Sequence, residues 1–250
     1  MGTVAVLEYH LVGYRRTWRG SALSSFVLPL LTMLGFGVGV GSYVAPIDGV
    51  PYLDWMVPGL VASTAVNVAI GDATWPVLGN FQWIKIYFAQ GAAPLRVVDI
   101  VAGHLAFILF RVLTSATAFL VVAALFGAVP SPWAVLSLPV IVLLGLATAP
   151  ATMAYSASIK SDSFLALLYR FAVIPMSLFS GVFFPVGSLP AVLRPPAYAL
   201  PLWHGVDLTR AATLGVAPDW SAAGHLIVLA GWAIAGCLLV LARFRRRLVI

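Results

Sequence analysis

Charge is what this chain has least of. Charged side chains make up 9% of its 250 residues, against about 25% in soluble domains, while 62% are hydrophobic and the mean hydropathy is +1.02. That balance excludes a water-soluble globular domain and reads as an all-α polytopic membrane protein. Cysteine occurs once, at Cys237 within the last apolar stretch, which excludes an intrachain disulfide and a thiolate metal site and suits a small buried apolar residue. Lysine occurs only at Lys85 in WIKIY and Lys160 in SIKSD. A phosphate-binding loop needs G-x-x-x-x-G-K-[ST], with its lysine on the nucleotide phosphates, so this chain cannot hydrolyse ATP alone. His10, His104, His204 and His225 are scattered; none has the H-E-x-x-H spacing of a zinc site, no metal site is expected, and G-x-S-x-G is missing.

Carboxylates are scarce where they would matter most. All eight acidic residues fall at the edges of apolar stretches or between them, which weighs against an embedded acid–base enzyme and against a proton- or sodium-coupled carrier. An ATP-independent secondary carrier and a membrane-embedded enzyme remain as alternatives on these residues alone. The net charge of +6 does not indicate nucleic acid, because the cations sit at the ends of apolar spans rather than on a polar face.

What the chain has is length in hydrocarbon. Apolar windows predict six transmembrane helices near 22–42, 55–72, 98–126, 133–158, 163–184 and 221–242, in a single transmembrane domain over 1–250. An even count places both termini on one side. Arg15, Arg16, Arg19, Lys85, Arg96, Lys160, Arg243, Arg245, Arg246 and Arg247 fall on that side, Arg194 and Arg210 opposite, and Arg111 and Arg170 within spans. The positive-inside rule makes the first side the cytoplasm, giving a multi-pass protein of the cytoplasmic (inner) membrane with both termini cytoplasmic. Acidic residues do not decide the orientation, since Glu8, Asp72, Asp99 and Asp162 fall inside while Asp48, Asp54, Asp207 and Asp219 fall outside. Residues 3–20 mix Val, Leu, Tyr and Trp with arginines, as expected of a helix lying in the cytoplasmic interface.

Several polar and small residues mark the spans. His104 and Arg111 lie about two turns apart on one face of the third span, with Ser115 a turn further on. An arginine in hydrocarbon costs roughly 2.5–3.5 kcal/mol, so it must face protein or water; the three residues are candidates either for a translocation path or for a hydrogen-bonded anchor between helices. Gly35, Gly37, Gly39 and Gly41 make overlapping G-x-x-x-G patterns suited to close helix approach. Ser63, Asn67 and Gly71 make a small polar face expected to contact another helix. Trp55, Trp133 and Trp220 lie near predicted span ends, where an anchoring role at the membrane surface is expected.

Two connections are long. In 73–96, Val77, Phe81, Ile84 and Phe88 recur at helical spacing beside Asn80 and Lys85 before Gly91 and Pro94 stop the pattern. This reads as a short helix that presents an apolar face to a cytoplasmic partner or rests on the membrane surface. Phe179 to Arg210 is mostly apolar yet carries five of the seventeen prolines. It suits neither a spanning helix nor an exposed loop, and is expected to fold back at or just inside the outer surface.

The order of these parts resembles the membrane subunits of type-2 ABC exporters, especially the branch that contains the rhizobial nodulation-factor export permease. LGFGVGVG at 34–41, Pro58-Gly59-Leu60, APLRVVDIVAG at 93–103, SGVFFPVGSLP at 180–190, LPLWHGVDLTR at 200–210 and the final RRRL carry the resemblance. It implies a bacterial six-helix permease that pairs with two separate ABC ATPase subunits and with a second permease copy, a homodimer being favoured over a paralogue, in contact with membrane lipid. It further implies an exporter of an amphipathic substrate: a lipid, a lipid-linked oligosaccharide or a hydrophobic drug. ATP and Mg would sit on the partner ATPase, with no cofactor in this chain. Residues 3–20 would be the interfacial helix. The 73–96 segment would be the coupling helix, through Val77, Phe81, Ile84, Lys85 and Phe88. The 185–215 segment would be an external re-entrant hairpin forming a gate-like cap, marked by Gly181, Pro185, Pro190, His204, Asp207 and Arg210. Family coupling segments commonly carry acidic residues where this one offers Lys85, and His104 stands where a carboxylate is often found.

Overall fold

A computed structural model describes residues 2–41, 43–47 and 49–248, and the side chains of all of these except 21–26, 28, 29, 37 and 38. Asp48, expected on the external side, lies outside the described residues. Among them every regular element is a helix, apart from one isolated bridge between Ile47 and Val50. Among the described residues, four stretches are long and apolar enough to cross a membrane: Tyr52–Gln82, Val97–Leu125, Pro132–Ser156 and Ala222–Leu248.

The expected interfacial helix and first span are one helix rather than two. Helix α1 runs over Gly2–Thr32 without a break at Gly20 and continues as a π-helical stretch over Met33–Val40. A lone glycine costs a helix only about 1 kcal/mol, too little to end it between strong helix formers. Helix α2 is Tyr52–Ala73. At Thr74 the backbone leaves the helical region, and both the amide and the hydroxyl of Thr74 donate to the Gly71 carbonyl.

The 73–96 segment then differs from the single helix its periodicity suggests. It forms α3 (Trp75–Gln82) and α4 (Ile86–Ala92), joined by a reversal at Lys85 in the left-handed region with φ 58°. Helix α5 covers Val97–Leu125, started by a capping box in which Asp99 accepts from the Arg96 amide. A 3₁₀ turn at Pro132–Leu136 leads into α6 (Ser137–Ser156).

The predicted span at 163–184 is a shorter apolar helix, Ser163–Phe179, below the roughly 20 residues a span requires. Within it α7 (Ser163–Leu168) and α8 (Ile174–Phe179) flank a π-helical turn at Tyr169–Val173. Pro175 has no amide to give a carbonyl one turn back, and local π widening is a usual accommodation. The proline-rich stretch is more regular than its composition suggests: a 3₁₀ turn at Val186–Ser188, then α9 (Arg194–Ala199) and α10 (Pro201–Leu214). Pro195, Pro196 and Pro201 sit in the first turns of α9 and α10, where a missing amide costs nothing. Helix α11 (Ala222–Leu248) closes the described chain.

One core runs through the bundle, with α2 at its centre against α5, α6 and α10, α6 against α11, and α1 along α5. Glycines set two close approaches between elements. A Cβ on Gly59 would lie 2.9 Å from the backbone Cα of Val182, and one on Gly103 would lie 2.5 Å from the Val6 Cβ. The first seats the start of α2 on the 180–182 turn, which explains Pro58-Gly59-Leu60. The second seats α1 in a notch on α5, where the Thr3 hydroxyl also donates to Asp99 at 2.9 Å.

The bundle has two chemically distinct ends. At one, Arg247 on α11 donates to the Ala157 carbonyl at 2.7 Å and lies over the Phe81 ring, and Phe244 packs on Phe81 and Tyr87. The α3–α4 hairpin, both ends of the described chain and the start of α5 therefore gather there. At the other, Tyr52 donates to the Phe183 carbonyl and the Ser131 amide donates to the Thr213 carbonyl, which brings the 126–136 connection and the 180–220 segment together.

Some sequence expectations are met differently. A Cβ on Gly35 would meet nothing within 4 Å among the described residues, so Gly35 itself makes no close helix contact with them. Asn67 donates to the Ser63 carbonyl of its own helix. Trp55 is buried in the core rather than at a membrane surface, whereas Trp133 is exposed.

Candidate functional site

At the end that carries the termini, the α3–α4 hairpin divides the proposed coupling residues into two sets. Val77 (0% exposed) and Phe81 (2%) point into the core, whereas Ile84 (66%), Phe88 (41%) and the unforeseen Trp83 (62%) stand outward around Lys85. The reversal at Lys85 rotates α4 relative to α3, so a helical repeat read straight through the segment cannot keep all four apolar residues on one face. The outward set is what a docking partner could touch.

Beside the hairpin a cavity of about 590 Å³ opens between α1, the end of α2, α3 and α5. Tyr9, His10, Arg16, Asp72, Asn80 and His104 line it. The His104 ring is buried, stacks on His10 at 4.2 Å and is hydrogen-bonded by the Tyr87 hydroxyl. Three elements, α1, α4 and α5, thus meet through aromatic faces. Burial lowers the His10 imidazole to about 4 and pushes the Tyr87 phenol up, so both are neutral at physiological pH. Arg111 pairs with Asp72 of α2 at 3.3 Å and lies over the Tyr14 ring. Ser115 is buried with its hydroxyl unpartnered and is not among the lining residues. The three polar marks of the third span therefore separate: His104 on the cavity, Arg111 in an ion pair at its edge, Ser115 in the core.

At the opposite end, a second cavity of about 240 Å³ brings together Gly181, Pro185, Asp207 and Arg210, with Trp55 and Asp219. Gly181 adopts φ 75°, a left-handed turn that favours glycine, and its carbonyl accepts from Arg210 Nη2 at 2.7 Å. Arg210 Nε donates to the Trp55 carbonyl, and the guanidinium lies 3.9 Å from the Trp55 ring centroid. One cation therefore ties α10, α2 and the 180–182 turn together. Asp207 accepts from the Asp219 amide at 2.7 Å and lies 3.0 Å from His225 Nε2. His204 is fully buried and meets His225 at 2.8 Å, while Trp203, Trp220 and Tyr198 pack around the pair. Pro190 sits on an exposed turn away from the cavity.

Sequence reasoning missed Asp72, His10, Tyr87, Trp55, Asp219 and His225. Nothing in their spacing signals the contacts, which join residues up to 155 positions apart, as between Trp55 and Arg210. Arg111 itself was the available clue, because a cation within a span requires a partner.

These two ends lie within a stretch that can be compared with known proteins. The model of the ABC-2 type transporter family matches residues 2–214. The chain belongs to the ABC-2 type transporter family. Relatives named nodulation protein J include that of Rhizobium leguminosarum bv. trifolii, 30% identical over 212 residues, covering 85% of this chain and 81% of the relative. That of Sinorhizobium fredii (strain NBRC 101917 / NGR234) is 29% identical over 211 residues, covering 84% and 80%. The one from Bradyrhizobium diazoefficiens is 28% identical over 249 residues, covering 98% and 93%. The family match takes in the hairpin, the first cavity, all of α10 and most of the lining of the second cavity; Asp219 and α11, with His225, follow it in the chain.

Proposed function

We propose that this ABC-2 type transporter protein is the permease subunit of an ATP-driven exporter, coupled to two separate ABC ATPase subunits through the tip of the α3–α4 hairpin. The observation that carries the reading is that tip: Trp83, Ile84, Lys85 and Phe88 stand exposed at the same end as the arginine-rich C-terminus, on a chain whose lysines fit no phosphate loop. ATP and Mg belong to the partner. Binding of ATP favours one arrangement of the ATPase pair, and the hairpin passes that preference to α5 through Tyr87 and His104 and to α11 through Phe81 and Phe244.

Residues 1–250 form one transmembrane domain with six spans. The π-ended helix α1 and the kinked Ser163–Phe179 helix supply the two beyond the four long apolar stretches. The basic end faces the cytoplasm of the inner membrane, and the 185–215 segment is an external re-entrant cap. Two copies pair, and the open space at Gly35 leaves room for close approach along α1. The substrate is amphipathic, a lipid, a lipid-linked oligosaccharide or a hydrophobic drug. It passes His104 and Arg111 on its way to the cap, where Gly181, Pro185, His204, Asp207 and Arg210 hold the gate and Pro190 turns the chain.

Reconstitution tests the reading. Purified protein in liposomes is expected to translocate a fluorescent lipid only when a co-purified ATPase and Mg-ATP are present. Transport by the chain alone would establish the carrier alternative, and transport with the non-hydrolysable nucleotide alone would remove the ATP-driven step.

A further inference from the structure

The buried histidine pair admits a proton count. His204 Nε2 lies 2.8 Å from the Tyr198 carbonyl, which can only accept, so that nitrogen carries hydrogen. His225 Nε2 lies 3.0 Å from Asp207 Oδ2, at ion-pair distance though not in hydrogen-bond alignment; a bare lone pair facing a carboxylate there would be repulsive, so it too carries hydrogen. Between the rings, the two Nδ1 atoms are 2.8 Å apart, which requires one hydrogen on that axis. The two rings thus hold three protons and one positive charge, balanced by Asp207.

We propose that His204 and His225, with Asp207, form a proton-binding site that latches the 180–215 segment to the last span. A fourth proton would set two N–H groups head to head across 2.8 Å. Loss of the third would leave two lone pairs facing each other, or one facing Asp207. The link therefore holds only in a window of pH and fails on both sides, each step belonging to the pair rather than to one ring. On the acid side the folded state resists a proton that the unfolded chain accepts, so latch stability falls as pH drops. On the alkaline side it keeps a proton that the unfolded chain releases, so stability falls as pH rises. The groups facing the pair are Asp207 from α10 and the Tyr198 carbonyl from α9, while Asp219, on the connection to α11, reaches Asp207 through its amide. Arg210, one turn from Asp207, is held by the Gly181 and Trp55 carbonyls. Asp207 also lines the 240 Å³ cavity, room for several waters, so the buried pair is one carboxylate away from solvent-sized space.

The neighbouring indoles report the state of the site. Trp203 lies 4.8 Å from the His204 ring and 5.0 Å from His225, and Trp220 lies 5.7 Å and 6.0 Å from the same rings. Full-length protein in zwitterionic nanodiscs is titrated from about pH 5 to about pH 9, across the ordinary imidazole value, while tryptophan emission and amide exchange of 194–214 are followed. The expected result is a plateau flanked by two transitions, with exchange faster by about tenfold or more on either side. His204→Gln, which can still donate to Tyr198, should lose the acid transition, and Asp207→Asn should move the alkaline one to lower pH. A single transition at the ordinary imidazole value, or two transitions unchanged in both variants, overturns the proposal. Neither readout requires transport or an ATPase, so a failure here is distinguishable from a failure of the export reading.

Discussion

Arg111 shows how a single side chain changes meaning once its partner is known. On a helix wheel it is a cation adrift in hydrocarbon; in the fold it is matched by Asp72 from the neighbouring helix, with both side chains mostly buried. Removing one member strands the other, at a cost of about 1–3 kcal/mol. Arg111→Ala is therefore expected to lower the unfolding midpoint in detergent, and Asp72→Asn combined with it to recover part of the loss. A midpoint unchanged in Arg111→Ala would show that the pair adds nothing to stability and leave Arg111 its place on the translocation path alone. His10 offers a second test. Its imidazole is held at about 4 by burial, so between there and the ordinary value of about 6.5 the unfolded chain binds the extra proton and the folded chain does not. Stability should decline as pH falls through that interval, and His10→Phe should flatten the decline in pH-dependent melts.

The elements carry the division between docking and packing. Phe81 lies inside the core against Tyr87 and Phe244, so Phe81→Ala should cost about 3–5 kcal/mol of stability and is a poor probe of coupling. Trp83→Ala with Ile84→Ala touches only exposed groups. It should leave the melting curve in place while lowering ATPase co-purification by roughly tenfold, if these residues behave as an interface anchor. Equal co-purification would remove the docking role from the tip. Helix α1 depends on a different feature. Any side chain at Gly103 meets Val6 and the Thr3 carbonyl, so Gly103→Leu should lift the first turns of α1 off α5, read as faster amide exchange over residues 2–12.

For the whole molecule, the two ends predict sidedness. A single cysteine placed at Lys160 or Arg246, in a chain whose Cys237 has been replaced, should be labelled by an impermeant reagent only from the cytoplasmic side, and one at Val192 only from outside. The opposite pattern would invert the orientation and with it the assignment of docking end and cap. Both ends are anchored by cations that donate to backbone carbonyls, Arg247 to Ala157 and Arg210 to Gly181 and Trp55. In a hydrocarbon setting such bonds do work that apolar burial does in water, because lipid is as apolar as the side chains it would be exchanged for.

Composition and hydropathy were enough to determine that this is a helical membrane protein; motifs such as Pro58-Gly59-Leu60 and SGVFFPVGSLP pointed to the family. These properties are additive along a chain, so reading residues in order recovers them. Pairing is not additive. That Gly59 lies under Val182, that the repeat Val77-Phe81-Ile84-Phe88 is cut by a reversal at Lys85, and that histidines 21 positions apart meet at 2.8 Å depend on which helices are neighbours. Only the tertiary structure decides that, because close approach and hydrogen bonding act across space over a few ångströms, without regard to sequence separation.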